Sequence, residues 1–135
     1  MRNVRLTLAL LVLTVLTLAA CSSRDPLAGT AWQLDAYRKT RPIEGTTITL
    51  SFEEGNASGS AGCNVYGGQY EVKRSQISFD QLFATEMYCL DPEAVMQQEA
   101  DYLGYLAAAE RFELRDGQLL IYFSEHEALT FVPKP

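Results

Sequence analysis

Apolar and polar residues alternate along most of the chain after residue 28, which is the period of half-buried β-strands. The first such segment is residues 29–34. One face of it contains Trp32 and Leu34, and Ala36 continues that face. Similar patterns predict strands at residues 48–52, 57–61, 69–72, 76–79, 82–87, 111–114, 118–123 and 129–132. Asp116 and Gly117 form a strong turn signal for one of the hairpins.

One segment, residues 91–109, has the spacing of a helix instead. Asp91 can cap a helix N-terminus, Pro92 suits the first helical position, and Glu93 favours the positive end of the helix dipole. Apolar residues then recur at helical spacing, at Val95, Met96, Tyr102, Leu103 and Leu106. This stripe predicts ordinary packing of one helix on a core.

The connections between the predicted strands are short, and parallel strands need long crossovers. The sequence therefore predicts a mainly β fold: a strongly curved, β-barrel-like antiparallel sheet with one α-helix inserted before the last three strands. Curvature of this kind buries the apolar faces and limits exposed strand edges.

Residues 1–20 have the pattern of a secretory signal peptide. Arg2 and Arg5 precede an uncharged apolar run at residues 6–18, and this run is too short to span a bilayer comfortably. An exported protein is expected, and the mature chain of 115 residues is long enough for one domain with one core.

The letters LAAC at residues 18–21 resemble a bacterial lipobox. In a lipobox the cysteine, here Cys21, is lipidated and becomes the mature N-terminus, so acyl chains such as palmitate would anchor the protein. Residues 21–27 would then be a lipidated tether and residues 28–133 the folded domain. The alternative is an ordinary signal peptide in which Cys21 has no role. Ser22, where aspartate would resemble an inner-membrane retention signal, favours the outer membrane, facing the periplasm, if the source is Gram-negative.

The charge of the chain excludes one class of partner. The precursor has 11 Lys and Arg against 17 Asp and Glu, and cleavage would remove Arg2 and Arg5, which leaves a net charge of −8. Such a surface repels phosphate backbones, so we expect no nucleic-acid partner. It also argues against a polybasic contact with anionic lipid, which leaves the N-terminal lipid as the membrane contact.

With Cys21 lipidated, Cys63 and Cys89 remain. Two cysteines in an exported domain favour a disulfide, and the alternative is a pair of reduced, buried thiols. A bridge would close a loop of about 25 residues, which contributes roughly 3 kcal/mol in the chain-entropy description.

Several blocks of residues carry a family resemblance. They are Gly29-x-x-Trp32-x-Leu34, Ser58-Gly59-x-x-Gly62-Cys63-Asn64-x-Tyr66-x-Gly68-x-Tyr70, Thr85-x-Met87-x-Cys89 and Glu99-x-x-Tyr102-Leu103, with Leu119-x-Ile121 and Leu129-x-Phe131 near the end. Together they resemble the META domain family, also called HslJ-like, over nearly the whole mature chain. One departure is the stretch EHEA at residues 125–128, where the family usually turns through a glycine.

The resemblance implies a barrel-like antiparallel sheet with one helix. Bacterial members of the family are linked to heat-induced stress and novobiocin resistance, a parasite relative is linked to virulence, and the fold looks similar to lipid-binding pilot lipoproteins of type III secretion. The glycines of the second block, Gly59, Gly62, Gly67 and Gly68, would permit tight bends and close backbone approach at a barrel corner. Asn64 would tolerate left-handed geometry and bond neighbouring amides, while a Cys63–Cys89 bridge would tie this corner to the segment before the helix. A ligand-binding corner is the functional alternative.

Catalytic and metal chemistry find little support in the sequence. His126, the single histidine, lies between Glu125 and Glu127 in a predicted exposed turn, and no nucleophile motif such as Gly-x-Ser-x-Gly occurs. The cysteines lack the short paired spacing of zinc motifs. We therefore expect no catalytic residue, no metal, no cofactor and no enzymatic activity.

These observations predict a cell-envelope lipoprotein that acts as a non-catalytic binding or structural module, linked to envelope stress or antibiotic resistance. Its partner would be a small hydrophobic ligand or an envelope protein. The alternative function is an inhibitor or chaperone of a secreted or periplasmic protein, and a hydrolase ranks last.

Overall fold

The computed structural model describes residues 25–135. They form eight antiparallel strands and one helix: β1 (Ala31–Tyr37), β2 (Thr49–Glu53), β3 (Asn56–Ser60), β4 (Val65–Lys73), β5 (Gln76–Ala84), α1 (Val95–Ala107), β6 (Arg111–Arg115), β7 (Gln118–Tyr122) and β8 (Ala128–Pro133). The predicted fold class is confirmed, with the helix inserted before the last three strands. The predicted signal peptide and Cys21 lie outside the described residues.

Each strand pairs with the next, and the sheet curves until β8 pairs with β1, from Trp32↔Pro133 to Tyr37↔Leu129. The seam between β5 and β6 is much shorter, because its register in the described chain consists of one pair, Gln76↔Arg111. The sheet is therefore strongly curved and barrel-like without being a regular barrel. Helix α1 connects the two strands of this weak seam.

Alternation along the strands places one set of side chains inside the curved sheet. In the last hairpin Leu119, Ile121, Leu129 and Phe131 are all fully buried, while the residues between them are partly exposed. The other fully or nearly fully buried apolar residues that line the interior include Leu27, Leu34, Ile48, Leu50, Phe52, Ala57, Ala61, Tyr66, Ile77, Tyr102 and Leu106. Each large apolar side chain buried in this way contributes about 1.5–3 kcal/mol, before the entropy lost on ordering the chain is counted.

The last hairpin closes normally despite its missing glycine. Leu119↔Phe131 and Tyr122↔Ala128 are in register, and the amide of Phe123 donates to the carbonyl of Glu127 at 3.2 Å. The five-residue connection between β7 and β8 therefore turns without a glycine, through the glutamates and the histidine of the EHEA stretch.

The helix begins later than predicted. It starts at Val95, its N-cap is Ala94 in left-handed conformation with φ 66°, and no side chain caps it, so the predicted capping role of Asp91 is wrong. The preceding residues are tied to the sheet by the contacts of Cys89 and Met87 described below. Helical spacing thus begins where Val95, which is 2% exposed, first enters the core.

Two strands of the middle of the sheet are longer than predicted. Strand β4 starts at Val65 rather than residue 69, and β5 continues to Ala84, so the extended piece predicted at 82–87 is mainly the end of β5 and not a strand of its own. The register shifts between Gly67 and Gln69, opposite Gln81, whose φ is 53°. This irregularity adds a residue to β5 and breaks the alternation on which the prediction depended.

The folded part of the chain also begins earlier than residue 28. Leu27 is fully buried, and its amide donates to the carboxylate of Asp25 at 2.8 Å. Residues 25–27, which the sequence analysis assigned to the tether, thus belong to the fold.

Candidate functional site

A disulfide joins the loop between β3 and β4 to the segment between β5 and α1. Cys63 and Cys89 are bonded, with their Cα atoms 6.0 Å apart and 26 positions apart in the chain. The predicted bridge is confirmed and the alternative of two reduced thiols is wrong. The bond fixes residues 85–90 against the start of β4.

Asn64, beside the disulfide, uses the full hydrogen-bonding capacity of its side chain. Its oxygen accepts from the hydroxyl of Thr85 and from the amide of Met87, both at 2.7 Å. Its nitrogen donates to the carbonyl of Met87 at 3.0 Å and to the carboxylate of Glu99 at 2.7 Å. Because Asn64 is 2% exposed, these bonds are shielded from water and hold the backbone around Met87 in one position.

Glu99 supplies the negative end of this network from the helix. Its carboxylate accepts from the amides of Cys63 at 3.2 Å and Asn64 at 2.7 Å, in addition to the Asn64 side chain. Glu99 is 6% exposed, so the three donors compensate for the burial of the carboxylate. The carboxylate therefore clamps helix α1 to the loop that carries Cys63.

The neighbouring helix residue, Gln98, holds a second loop. Its side-chain oxygen accepts from the amide of Ile43 at 2.6 Å, and its nitrogen donates to the hydroxyl of Thr46 at 3.0 Å. Gln98 is 3% exposed and lies next to Gly62. The first turns of α1 thus fasten two connections, residues 38–48 and residues 61–64, to the same end of the sheet.

Two tyrosines link the helix to the interior of the sheet. The hydroxyl of Tyr66 donates to the carbonyl of Thr49 at 2.8 Å, so the hydroxyl of Tyr102, 2.7 Å away, is the donor in the bond between the two side chains. Burial raises the pKa of both hydroxyls well above the usual value of tyrosine. Both therefore remain protonated at neutral pH, and the pair serves as a neutral polar contact inside the core.

The opposite end of β2 and β3 is closed by the N-terminal segment. The hydroxyl of Tyr70 donates to the carboxylate of Asp25 at 2.5 Å, and the amide of Tyr70 donates to the carbonyl of Gly55 at 2.9 Å. Burial, together with the nearby carboxylate of Asp25, raises the pKa of Tyr70 to about 12.

Large apolar side chains are exposed around the disulfide. We define the apolar face as Val65, Phe83, Met87, Tyr88 and Leu90, which are between 55% and 79% exposed. The backbones of Val65 and Thr85 are hydrogen bonded at 3.0 Å, and the Phe83 ring lies over Gly67, two residues from Val65. Val65, Phe83 and Met87 therefore lie near one another at the start of β4 and the end of β5, and Tyr88 and Leu90 directly follow Met87 in the chain. Large exposed apolar patches on a protein surface often mark sites of interaction.

The family model described as META domain matches residues 25–135, every residue that the structure describes. The chain belongs to the META domain family. No curated protein matches the chain.

Solved structures resemble this META domain. A protein from Burkholderia xenovorans, solved by NMR, is 31% identical, with a TM-score of 0.68; the match covers 80% of this chain and 83% of that one. A second NMR structure is 20% identical, with a TM-score of 0.64 and coverage of 79% and 91%. A crystal structure of a DUF4847 family protein from Bacteroides vulgatus is 10% identical, with a TM-score of 0.57 and coverage of 79% and 94%. The last two likenesses concern the fold alone.

The structure brings six of the sequence-predicted motif residues of the META domain together at the disulfide end. Cys63, Asn64, Thr85, Met87 and Cys89 meet there, in contact with Glu99 from the helix, as described above. Tyr66 lies one layer deeper. Trp32, Gly68 and Tyr70 lie elsewhere: Trp32 is buried and donates its indole N–H to the hydroxyl of Thr30 at 2.7 Å.

The predicted role of the glycines is correct in part. Gly62 turns the chain, with φ 114°, but Gly59, Gly67 and Gly68 lie inside β3 and β4 and do not form a corner. Close approach is the reason at Gly59, because a Cβ atom there would lie 1.9 Å from the carbonyl oxygen of Thr49. The predicted left-handed geometry of Asn64 is wrong, since φ is not positive at that residue.

The hydrogen-bond network at the disulfide end includes a carboxylate whose role the sequence did not reveal. Glu99 was a motif residue only, yet it falls on the buried side of the helix with Val95, Tyr102 and Leu106, at spacings of four, three and four. A carboxylate inside an apolar helical stripe is a signal that could have identified it. The exposed side chain of Leu90 had no such signal, because it lies in a segment with no clear period.

Three further findings concern chemistry and membranes. His126 lies in an exposed turn, 3.9 Å from the carboxylate of Glu125, and far along the chain from the disulfide network. Within residues 25–135, no group of three or more His, Cys, Asp or Glu side chains is arranged to hold a metal ion. No helix in the same range has the length and hydrophobicity needed to cross a membrane.

Proposed function

We propose that this META domain is a lipid-anchored binding module of the cell envelope, with no catalytic role. The observation that carries the proposal is that the polar motif residues make their hydrogen bonds within the protein. Asn64, Thr85 and Glu99 bond one another or nearby backbone, and together they hold outward a segment with exposed Met87, Tyr88 and Leu90. Polar groups that make all their hydrogen bonds within the protein serve to hold a surface in place, and they are poorly placed to react with a substrate.

The anchor is proposed from the sequence. The lipobox-like LAAC at residues 18–21 places a cysteine four residues before Asp25, where the described fold begins. Four residues of extended chain reach about 14 Å, so an acylated Cys21 would keep the domain close to the bilayer. With Ser22 after the cysteine, the proposed location in a Gram-negative cell is the outer membrane, facing the periplasm.

Replacement of the lipidated cysteine tests the anchor. In cells fed labelled palmitate, Cys21→Ser should abolish incorporation of the label and remove the mature protein from the membrane fraction, while Ser23→Ala, two residues away, should change neither. Ser22→Asp should keep the label and move the protein to the inner membrane of a Gram-negative host. Unchanged labelling and fractionation of Cys21→Ser would refute the anchor.

A second candidate, an inhibitor or chaperone of a secreted protein, is favoured by the same exposed segment. Tyr88 and Leu90 are 78% and 79% exposed and flank a disulfide-bonded cysteine, an arrangement suited to insertion into a partner. Reduced, unfolded lysozyme provides a test with a basic secreted substrate. A chaperone should slow its aggregation, and a Tyr88→Ser, Leu90→Ser variant should not. Equal aggregation with and without the protein would count against the chaperone.

A further inference from the structure

The apolar face stands out among the exposed surfaces of the described chain. Of the six large hydrophobic residues that are strongly exposed, five belong to it, and the sixth is Leu114 on β6 at 46%. Single exposed apolar residues are ordinary on protein surfaces, whereas a group of five at one place requires an explanation. Tyrosine and methionine, both present, are favoured where proteins meet.

The face is held in a fixed position before any partner arrives. The Asn64 side chain bonds both the amide and the carbonyl of Met87, and the disulfide fixes Cys89, so Tyr88 lies between two anchored residues. In this arrangement the side chains of Met87, Tyr88 and Leu90 are exposed. A surface ordered in advance loses less entropy on binding.

A groove extends the face along the outside of the sheet. It has a volume of about 350 Å³ and runs beside the Phe83 ring over Ala57, Gly67 and Gly68. Ala57 and Gly67 in its lining are buried, and the Phe83 ring that covers Gly67 forms one side of the groove. The groove and the apolar face share Phe83 and form one continuous surface.

The charge around the apolar face is of one sign. Residues 75–110 contain no lysine or arginine and seven carboxylates: Asp80, Glu86, Asp91, Glu93, Glu99, Asp101 and Glu110. Glu86, Asp91 and Glu93 are exposed and flank Tyr88 and Leu90 along the chain. The ion pairs found in residues 25–135 involve other carboxylates, so these three are available to an external cation.

We propose that the apolar face docks a basic, amphipathic segment of a partner protein. Apolar side chains of that segment would pack on Tyr88 and Leu90, and its lysines or arginines would pair with Glu86, Asp91 and Glu93. The carboxylates repel an anionic bilayer, and a symmetric contact between two copies would bring two acidic rims together, so a cationic protein segment fits this surface better than either. The inference rests on the proposed function, since it names the surface and the partner class of the binding module.

The test uses a peptide of known chemistry. The strands, the helix and the disulfide that the structure describes lie within residues 25–135, so a chain that begins at Ser22 and is exported to the periplasm keeps them. The probe is a fluorescent 14-residue amphipathic peptide of leucine and lysine, followed by anisotropy. The double variant Tyr88→Ser, Leu90→Ser should weaken binding about tenfold or more, as expected for central interface residues. Leu114→Ser, the matched change outside the face, should stay within about twofold.

A second pair of variants tests the charges. Glu86→Gln with Glu93→Gln should weaken binding several-fold and reduce its dependence on salt, whereas Glu53→Gln with Glu54→Gln, at the turn between β2 and β3, should change neither. A leucine and glutamate peptide of the same length should not bind. Circular dichroism of each variant verifies that the fold is retained.

Three results would overturn the proposal. The first is equal peptide binding by the protein and by its Tyr88→Ser, Leu90→Ser variant. The second is that the protein binds vesicles of phosphatidylcholine and phosphatidylglycerol and the variant does not. The third is that the protein forms a dimer and the variant is a monomer. The second result would assign the face to the membrane and the third to self-association. The assay lacks residue 21, so failure of the Cys21 anchor in cells would leave its outcome unaffected, and the two proposals can fail separately.

Discussion

At one end of β2 and β3 the sheet is closed by a covalent bond and a buried carboxylate, and at the other end by three residues of the N-terminal segment. The disulfide end contains Cys63, Asn64, Cys89 and Glu99. Asn64 and Glu99 together take part in at least six hydrogen bonds. The N-terminal end depends on buried Leu27 and on the bond from Tyr70 to Asp25.

The difference indicates a division of roles. The disulfide end combines a covalent bond with a buried carboxylate, and it is the end that presents the apolar face. The N-terminal end leads to the segment that contains Cys21 and is held by noncovalent contacts, namely the buried Leu27 and hydrogen bonds such as those from Gly29 to Phe52 and from Tyr70 to Asp25. The covalent bond and the buried carboxylate therefore lie where a partner is proposed to dock, and the end held by noncovalent contacts is the one nearest the proposed anchor.

Removal of the Glu99 carboxylate should have the largest effect. Glu99→Ala leaves two backbone amides and the Asn64 side chain without their acceptor inside the protein, and we expect a loss of about 4 kcal/mol in the free energy of unfolding. Urea denaturation measures this loss. Glu93→Ala, which removes an exposed carboxylate just before the same helix, should stay within about 0.5 kcal/mol. Similar losses for the two variants would show that the disulfide end does not depend on this network.

Loss of the disulfide should come second. Cys63→Ser with Cys89→Ser opens a loop whose closure is worth about 3 kcal/mol, and urea denaturation should report a loss near that value. Dithiothreitol should destabilise the natural protein by a similar amount and leave the double variant unchanged. An effect of the reductant on the double variant would mean that the bridge is not its target.

The N-terminal end should respond less. Tyr70→Phe removes the hydroxyl bonded to Asp25 and keeps the ring packed against Phe52, whose centroid lies 4.7 Å from that of Tyr70. Loss of one hydrogen bond to a charged group should cost about 1.5 kcal/mol. Tyr88→Phe, at an exposed position, serves as the matched control and should be close to neutral. A larger loss for Tyr70→Phe than for Glu99→Ala would reverse the comparison between the two ends.

The sequence was informative where a periodic pattern reflects burial. The clean alternation near Leu119 and Leu129 and the helical stripe around Tyr102 correspond to elements of the structure. The pattern failed around Gly67 and Gln81, where an irregular register and small residues interrupt the alternation of β4 and β5. A single sequence shows which residues are apolar, but the position of an irregularity depends on contacts between strands.

The candidate site was predictable only in its residue types. The two cysteines suggested a bridge, and the family resemblance pointed to Asn64 and Glu99, but neither indicated that these two side chains bond each other at 2.7 Å. That contact joins residues 35 positions apart and exists only after the helix packs on the sheet. The exposure of Leu90 could not be read from the sequence for the same reason, since an apolar residue in an irregular segment is as easily buried as exposed.

The smallest effect at neutral pH concerns the protonation of Tyr70. Its pKa is raised from 10 to about 12 in the folded protein, so the folded state holds this proton more tightly than the unfolded chain does. The stability that this shift contributes is fully present below pH 10 and is lost as the pH rises from 10 towards 12. Absorbance titration should therefore show Tyr70 ionising about two pH units above the ordinary pKa of tyrosine.

The Tyr70→Phe variant makes this signal specific. It should remove one ionisation near pH 12 and leave the stability less dependent on pH between 10 and 12, with no change below pH 9 beyond the loss of the hydrogen bond. Tyr66 and Tyr102, whose pKa values burial also raises, should ionise only when the protein unfolds, because both hydroxyls are buried between the helix and the sheet. Ionisation of Tyr70 near pH 10 would mean that the N-terminal segment does not shield it, and that this end of the sheet is open in solution.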